Sequence, residues 1–410
     1  MNLFTKIDIP AAKWQIDYNS HIAFFGSCFA DNISAQFAAR KFKVLVNPFG
    51  TVYNPLSIAT QIHAIANGKK FGEPEVFQDM RSISEKEWLE SLGKPKNSGK
   101  HSDAPWHCWD AHSSLSAATR EECIAKLDNA VTNAREFLQK TDVVFITLGT
   151  AFVYFLKGYS VAVSNCHRQN PNLFIRKMIY VEHAVKALEC IVQDLRKIKS
   201  DMRIVFTVSP LRHLSDGAHE NTLSKATLQL AIEKFIREIA TTPTESRDDK
   251  AGFAAESRDD KAGFAAESRD DMAGFAAKIR DDKDGFAAKI RDDMAGIAEE
   301  STTTVSYFPS YEIVMDELRD YRFYDNDMIH LSKTAEEYIF ERMVETYCDK
   351  KTRDNIKQVE KFLKSANHRI QDADSPATAT FLQKLHAEAT RLESQIAGLN
   401  LDNEKHKFEK

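Results

Sequence analysis

Short apolar runs alternate with amphipathic segments along most of this chain. The runs have the length of buried strands, and the segments between them carry apolar residues three or four positions apart, as one face of a helix does. Strands without polar alternation, interleaved with helices, indicate a parallel sheet covered on both faces. The pattern therefore predicts an α/β fold. The predicted strands are 22–25, 43–49, 142–150, 203–210 and 305–308, and the predicted helices are 56–66, 116–141, 182–197, 223–240 and 334–345.

The first strand leads into a Gly-Ser turn, and a helix is predicted to open near Asp31. Gly26 permits a sharp turn, so Ser27 lies at the carboxyl end of the strand, where open α/β sheets bind ligands. Backbone N–H groups at a helix start have no intrahelical acceptor and can meet a developing negative charge. Ser27 is therefore a candidate nucleophile. The alternative is that Ser27 only caps the helix.

Two further regions divide the chain. An eleven-residue repeat begins at Glu245 and recurs from Glu256, Glu267, Lys278 and Lys289. We interpret 245–299 as an insertion in a surface loop outside the catalytic fold, with a protein-binding arm as the alternative. Residues 350–410 are rich in Lys, Glu and Gln and predict a helical hairpin. The predicted organisation is a domain over 1–349, interrupted by 245–299, followed by a helical extension over 350–410.

The charge, the apolar runs and the cysteine pattern of the sequence argue against several classes of function. The net charge of −5 and the isoelectric point near 6.3 give no reason to expect nucleic-acid binding. The sequence has no apolar run long enough to span a membrane, and residues 1–8 lack the pattern of a signal peptide. The six cysteines are scattered and form no Cys-x-x-Cys pair. We therefore expect a cytoplasmic protein with reduced thiols and no membrane partner.

Three histidines in a Trp-rich stretch suggest a metal site as one alternative. These residues are His101, His107 and His112. Their spacing matches no ligand pattern on a helix, so ordinary loop or core histidines are the preferred interpretation. The sequence predicts neither a metal nor another cofactor.

A carboxylate–imidazole pair occurs far downstream of Ser27. Asp327 and His330 are three residues apart, just before the predicted helix 334–345. On a loop or a first helical turn, this spacing can bring the carboxylate to Nδ1 of the imidazole and leave Nε2 free to take a proton from a serine. The alternative is a helix-capping segment with an exposed histidine.

Five segments, taken in order, resemble the GSCFA family, which is assigned to the SGNH (GDSL-like) hydrolase superfamily. The resemblance covers roughly residues 1–345, apart from the repeat. The segments are Gly-Ser-Cys-Phe-Ala at 26–30, Asn-Pro-Phe-Gly-Thr at 47–51, Thr-Leu-Gly-Thr at 147–150, Ser-Pro-Leu-Arg-His at 209–213 and Asp-Met-Ile-His at 327–330.

The resemblance implies a three-layer α/β/α sandwich with a flavodoxin-like parallel sheet and a Ser-Asp-His site for ester hydrolysis. It assigns the nucleophile to Ser27 and the acid–base pair to Asp327 and His330. The implied oxyanion hole consists of Ser27, Gly50, Gly149 and Thr150.

The third block of that superfamily is usually Gly-x-Asn, whereas this chain has Thr147-Leu148-Gly149-Thr150-Ala151 and lacks the asparagine. Losing one oxyanion donor costs about 100- to 1000-fold in turnover. We therefore expect the Gly149 N–H, the Thr150 hydroxyl or the Asn54 side chain to substitute, or the activity to be low.

Other polar residues follow strand-like runs and are candidates for substrate binding. These are Asn54, His167, Arg212 and His213; Arg212 can hold a carboxylate or phosphate with two hydrogen bonds. Structural hydrogen bonding is the alternative for each. A thiol nucleophile at Cys28 is a further alternative to Ser27, although a small buried residue explains that position equally well.

The sequence thus predicts a hydrolase that forms an acyl-enzyme on Ser27 and acts on a small-molecule ester, with an O-acetylated carbohydrate as one candidate. The rival is a weak or inactive SGNH-like binding module that engages a partner through the repeat or the C-terminal helices. The missing asparagine favours the rival. The sequence makes no prediction of the oligomeric state.

Overall fold

A five-stranded parallel sheet forms the centre of the computed structural model, which describes residues 5–78, 80–91, 105–159, 161–241, 304–368 and 375–408. The repeat at 245–299 and His101 therefore lie outside the described residues. The strand order across the sheet is β2–β1–β5–β9–β10, and every neighbouring pair is parallel. These strands are β1 His21–Gly26, β2 Lys43–Val46, β5 Val143–Leu148, β9 Arg203–Val208 and β10 Val305–Tyr307.

The strand order places a topological switch beside β1. The chain moves from β1 to β2 on one side, and β5 then pairs with the other side of β1, with Phe24 opposite Phe145. Ligands of open α/β sheets bind at such a switch, beyond the carboxyl ends of the strands. Ser27 follows β1 and Gly149 follows β5, so both residues lie at this place.

Alternate residues of the strands enter two separate cores. Ala23 and Phe25 pack into the core on one face of the sheet, whereas Ile22 and Phe24 pack into the core on the other. Because both faces are covered, the strands are apolar throughout, which is why they lacked polar alternation in the sequence. The predicted three-layer α/β/α fold is confirmed.

Helices on both faces complete the layers. The α2, α4, α5 and α6 helices contribute to one core, and α1, α7, α8 and α9 contribute to the other. The α6 helix begins at Ala218, ahead of the predicted start at Leu223, since its first turn is polar and gave no apolar periodicity. The helices are α1 Cys28–Ala39, α2 Pro55–Ala66, α3 Glu85–Ser91, α4 Arg120–Leu138, α5 Val181–Ile198, α6 Ala218–Thr241, α7 Lys333–Tyr347, α8 Lys350–Ala366, α9 Pro376–Gln395 and α10 Asp402–Phe408, with a short helical segment at Ser310–Glu312 that continues as a π-helix over Ile313–Glu317.

Two small antiparallel sheets were not predicted. One pairs β3 with β4, and the other has the order β7–β6–β8 and lies between β5 and α5 in the chain. Most of these strands are only three residues long, too short to show a period in the sequence. Their bounds are β3 Val76–Gln78, β4 Trp106–Cys108, β6 Phe152–Leu156, β7 Val161–Val163 and β8 Phe174–Met178.

Ion pairs connect the C-terminal helices to the end of α1. The buried Arg40 pairs with Glu337 of α7 and, at 2.5 Å, with Glu360 of α8, and its guanidinium lies 4.1 Å from the ring centre of Phe340. The neighbouring Lys41 pairs at 2.6 Å with Glu404 of α10. One helix of the α/β layer thus contacts three helices near the C-terminus.

No helix among the described residues combines the length and the apolar composition needed to cross a membrane.

We predict that Arg40→Ala lowers the free energy of unfolding by about 2 kcal/mol, because it leaves two carboxylates without their shared cation. The value lies below that of a fully buried pair, since Glu337 and Glu360 are about two-fifths exposed. Urea unfolding of the full-length protein measures the change.

The matched control is Lys6→Ala, which removes an exposed ion pair between Lys6 and Glu345 at 3.4 Å. We expect this control to change the stability by less than about 0.5 kcal/mol. Equal effects of the two substitutions would contradict the role given to Arg40.

Candidate active site

The turn after β1 brings Ser27 against the end of β5. Gly26 has φ of +130°, and a Cβ atom at this position would lie 2.0 Å from the carbonyl oxygen of Thr147. Only glycine fits here, because both the backbone conformation and the approach to β5 exclude a side chain. The Ser27 N–H then donates to the same carbonyl at 3.3 Å.

The Ser27 hydroxyl is buried and unpaired. Ser27 is 2% exposed, and its Oγ has no hydrogen-bond partner. Ser27 occupies the N-cap position of α1, yet its side chain makes no capping hydrogen bond. The interpretation of Ser27 as a simple helix cap is therefore not supported. A buried hydroxyl without a partner is uncommon and calls for an explanation.

Hydrogen bonds among Asp31, Asn47 and Thr51, which the sequence did not predict, hold this turn in place; we call this group the polar bracket. Asp31 accepts hydrogen bonds from the Asn47 side chain at 2.6 Å and from the Thr51 hydroxyl at 2.7 Å. Asn47 in turn accepts from the Gly26 N–H at 2.8 Å. The bracket explains why two of the matching segments, 26–30 and 47–51, occur together: the side chains of the second support the backbone of the first.

Asp327 and His330 form the pair that their spacing predicted. Asp327 Oδ2 lies 2.5 Å from His330 Nδ1, and Asp327 Oδ1 accepts the N–H groups of Ile329 and His330, each at 2.9 Å. The hydrogen bond from the imidazole and the two from the backbone lower the pKa of Asp327 to about 2. The carboxylate therefore stays ionised and fixes Nδ1 as the bonded nitrogen, so Nε2 takes no part in this pair.

The Asp327–His330 loop approaches the beginning of α1. It leads into α7, where Glu336 accepts a 2.5 Å hydrogen bond from Asn32 of α1. Both members of the pair are about half exposed, whereas Ser27 is buried, and no hydrogen bond joins Ser27 to His330. The roles of Asp327, His330 and Ser27 as a catalytic set stay a prediction.

The backbone donors predicted for the oxyanion hole are engaged elsewhere. The Gly50 N–H donates to Asn47 O at 2.7 Å, and the N–H groups of Gly149 and Thr150 donate to Tyr53 O at 2.7 and 3.0 Å. The Thr150 hydroxyl lies 3.0 Å from Ser224 Oγ and accepts the Phe152 N–H. In this conformation, these amides offer no spare donor hydrogen in place of the missing asparagine, and the Thr150 hydroxyl is engaged with Ser224 and Phe152.

Two of the four predicted substrate-binding residues have structural partners. Asn54 caps α2 by accepting the Ser57 N–H at 2.9 Å, so its side chain does not reach into the cleft as a free donor. The ring nitrogens of His167 lie 2.7 Å from Cys108 O and 3.0 Å from Ser113 Oγ. Burial lowers the pKa of His167 to about 4, as befits a structural, neutral imidazole.

Arg212 and His213 are exposed and lie beyond the end of β9. The His213 ring packs edge-on against Tyr53, with ring centres 5.9 Å apart, and its Nδ1 lies 3.3 Å from Asp216 Oδ1. Asp216 also pairs with Arg176 of β8. Both predicted residues are therefore accessible from the carboxyl edge of the sheet, and their role in substrate binding stays a prediction.

The thiol and metal alternatives gain no support. Burial raises the pKa of the Cys28 thiol, and the nearby Asp31 adds to this effect, which disfavours a thiolate nucleophile. His107 Nδ1 lies 2.6 Å from Ser116 Oγ. In the described part of the chain, no group of three or more His, Cys, Asp or Glu residues could hold a metal ion.

A buried face of α6 was missed because its buried side chains are polar, and because Asn221 lies ahead of the predicted helix start at Leu223. Ser224 Oγ accepts the Ala151 N–H at 2.7 Å, and Lys225 Nζ donates to Gly149 O at 2.6 Å and to Ser209 O at 2.7 Å. Asn221 lies one turn earlier and is also buried. This face therefore binds the ends of β5 and β9 directly.

A buried serine at the switch point of a parallel sheet that helices cover on both faces is the arrangement expected of a doubly wound α/β protein. The model of the GSCFA family matches residues 21–243 and 288–343, and the model of the GSCFA domain protein, C-terminal domain, matches 359–410. The chain therefore belongs to the GSCFA family. Searches of curated proteins and of solved structures found no match.

We predict that Gly26→Ala lowers the free energy of unfolding by about 3 kcal/mol, because the added methyl group forces β1 and β5 apart at a strained backbone position. Urea unfolding measures the loss, and fluorescence of the buried aromatic residues follows the transition.

Gly68→Ala is the control, since Gly68 also has a positive φ, of +59°, but the nearest atom to an added Cβ is 3.9 Å away. We expect this substitution to cost about 1 kcal/mol, from the backbone conformation alone. If both substitutions cost the same, the close approach to Thr147 is not what requires glycine.

Proposed function

We propose that this protein is a serine hydrolase of the SGNH type that cleaves ester bonds through Ser27, His330 and Asp327. The observation that carries the proposal is the Ser27 hydroxyl, which is buried without a partner at the switch point of the sheet. A hydroxyl kept unpaired at this position is available to react with a bound ligand, whereas a capping or structural serine would have its own hydrogen bond.

In the proposed reaction, Ser27 Oγ attacks the ester carbonyl carbon and forms a C–O bond while its proton moves to His330 Nε2. The carbonyl π electrons move to the oxygen. When that oxyanion collapses, the bond to the alcohol breaks, and the alcohol leaves with the proton from His330. Water then attacks the acyl-Ser27 ester in the same way, which releases the acid and restores the serine. Asp327 orients the imidazole and stabilises its charged form.

Closing the site requires His330 to approach Ser27. Catalytic hydrogen bonds are often long in a free enzyme and tighten only with substrate. His330 is carried by an exposed loop, and Met328 within this loop has a left-handed backbone with φ of +59°. Strained loop residues of this kind occur at functional sites.

The proposed substrate is a small acyl ester, with an O-acetylated carbohydrate as one candidate. Tyr53 and His213 form an accessible aromatic edge at the carboxyl end of the sheet, and Arg212 supplies a positive charge beside it. A cytoplasmic location remains part of the proposal. All six cysteines belong to the described residues, and all are free thiols there.

We predict that a fluorophosphonate probe labels the wild-type protein and that Ser27→Ala abolishes the labelling, because the probe bonds to an activated serine oxygen. Hydrolysis of p-nitrophenyl acetate is expected to fall together with the labelling. His330→Ala is expected to reduce kcat by about 100- to 10,000-fold.

The control is His219→Ala, which removes an exposed histidine of α6. It should leave both readouts unchanged. If the wild-type protein is neither labelled nor active on a panel of short acyl esters, the hydrolase proposal fails and the rival binding module becomes the better interpretation.

The pH profile gives a second test. Because the pKa of Asp327 is about 2, the carboxylate is ionised throughout the range in which activity is measured. Asp327→Asn removes this negative charge, so the charged imidazole loses its stabilising partner. We expect kcat to fall and the acid limb of kcat/KM to move to lower pH. If the acid limb of kcat/KM is unchanged in Asp327→Asn, His330 is not the catalytic base.

A further inference from the structure

The beginning of α6 buries three polar side chains against the carboxyl edge of the sheet. Asn221 and Lys225 are each 1% exposed, and Ser224 is fully buried. Asn221 and Lys225 are four residues apart, so they lie on one face of the helix, one turn from each other. Burying an amide and an ammonium group costs free energy unless both are paired, so this face needs an explanation.

Contacts place this face next to Ser27. Lys225 Nζ donates to the Gly149 carbonyl at 2.6 Å. A Cβ atom built on Gly149 would lie 3.3 Å from the Cβ atom of Ser27, so Gly149 lies directly beside the Ser27 side chain. Gly149 therefore lies between Lys225 of the α6 face and the proposed nucleophile.

Three buried polar atoms at this edge have no hydrogen-bond partner. They are Ser27 Oγ, Asn221 Nδ2 and Asp216 Oδ2. Asn221 offers donor hydrogens, and Ser27 offers the nucleophile. Unpaired buried groups are rare, and their presence at this edge of the sheet is consistent with a polar ligand that pairs with them.

We propose that the Asn221 side-chain amide donates to the oxyanion formed on the Ser27 adduct and supplies the donor missing from 147–151. Lys225 is a positioning residue, which holds the Gly149 and Ser209 carbonyls and adds positive charge beneath the oxyanion. The proposal rests on the proposed hydrolase function. It differs from the sequence expectation, because the donor comes from α6 and not from the segment after β5.

The electrostatics of Lys225 agree with this geometry. Burial is the main cause that lowers the pKa of Lys225, which is about 7; Cys28 and Asp216 oppose this shift, and Arg212 adds to it. The ammonium group is thus charged below neutral pH. A positive charge in a water-poor site stabilises a nearby anion far more than it would in water.

The first test replaces Asn221 by leucine in the full-length protein. With p-nitrophenyl acetate, kcat is expected to fall by about 100- to 1000-fold with little change in KM, since the interaction forms only in the transition state. Affinity for phenylboronic acid, which forms an anionic tetrahedral adduct on the serine, falls in parallel. The Tm stays the same or rises, because an unsatisfied buried donor has been removed.

Thr222→Leu is the matched control, since it places the same side chain on the exposed side of α6. It leaves kcat, boronate affinity and Tm unchanged. Should Asn221→Leu fail to fold, Asn221→Asp keeps the shape and replaces the donor by an acceptor, and the same loss of kcat is expected. Wild-type kcat in whichever of these variants folds overturns the proposal.

The two proposals can fail separately. Fluorophosphonate labelling that depends on Ser27, together with full activity of Asn221→Leu, rejects the donor role and keeps the hydrolase. A wild-type protein without labelling or turnover rejects both.

The positioning role of Lys225 predicts opposite pH effects on activity and stability. Above pH 7 the folded protein loses the Lys225 charge, so kcat falls. The unfolded chain still binds that proton up to about pH 10, so the free energy of unfolding gains a favourable contribution over the same range. Lys225→Met removes both trends, whereas Lys234→Met, which changes an exposed lysine of the same helix, removes neither. An alkaline limb that persists in Lys225→Met overturns the positioning role.

Discussion

The close approach of β1 to β5 determines where Ser27, the candidate nucleophile, lies. Gly26 passes so near the Thr147 carbonyl that no side chain fits between the strands, and the chain turns there into α1. The turn places Ser27 in a buried position with its hydroxyl unpaired. Gly149, at the end of β5, then touches the serine from the other side. Strand pairing, rather than the loops, therefore sets the geometry around the serine.

A second layer of polar contacts keeps this arrangement in place. Asp31 and Asn47 connect the start of α1 to the turn that follows β2 and hold the Gly26 amide. On the opposite side, Lys225 connects α6 to the ends of β5 and β9. The site is thus supported from both faces of the sheet, by the buried Lys225 of α6 and by the partly exposed Asp31 of α1.

The sequence predicted the elements whose patterns are long and regular. The five central strands are apolar because both of their faces are covered, and α4 and α5 carry clear apolar stripes. The short strands of the antiparallel sheets gave no such signal. The start of α6 was also missed, because its first turn is polar and gives no apolar periodicity.

Prediction of the candidate active site was limited in the same way, because contacts between distant parts of the chain leave no pattern in the sequence. The Asp327–His330 pair is local, so its spacing alone predicted the hydrogen bond between the two side chains. The oxyanion donors depend on where distant backbone groups find acceptors, and Gly50, Gly149 and Thr150 each donate to a carbonyl that no spacing in the sequence indicated. Asn221 was invisible for a related reason, since only the fold shows that its amide is buried without a partner.

The attachment of Arg40 and Lys41 to the C-terminal helices has a consequence for how the chain unfolds. Phe24 and Phe37 of the α/β layer share a single apolar core with Phe362 and Leu392 of the C-terminal helices. Two segments that contribute to one core cannot lose their order independently without exposing it to water. The regions that match the two family models therefore unfold as one cooperative unit. The α1 helix, which follows the candidate nucleophile Ser27, connects them.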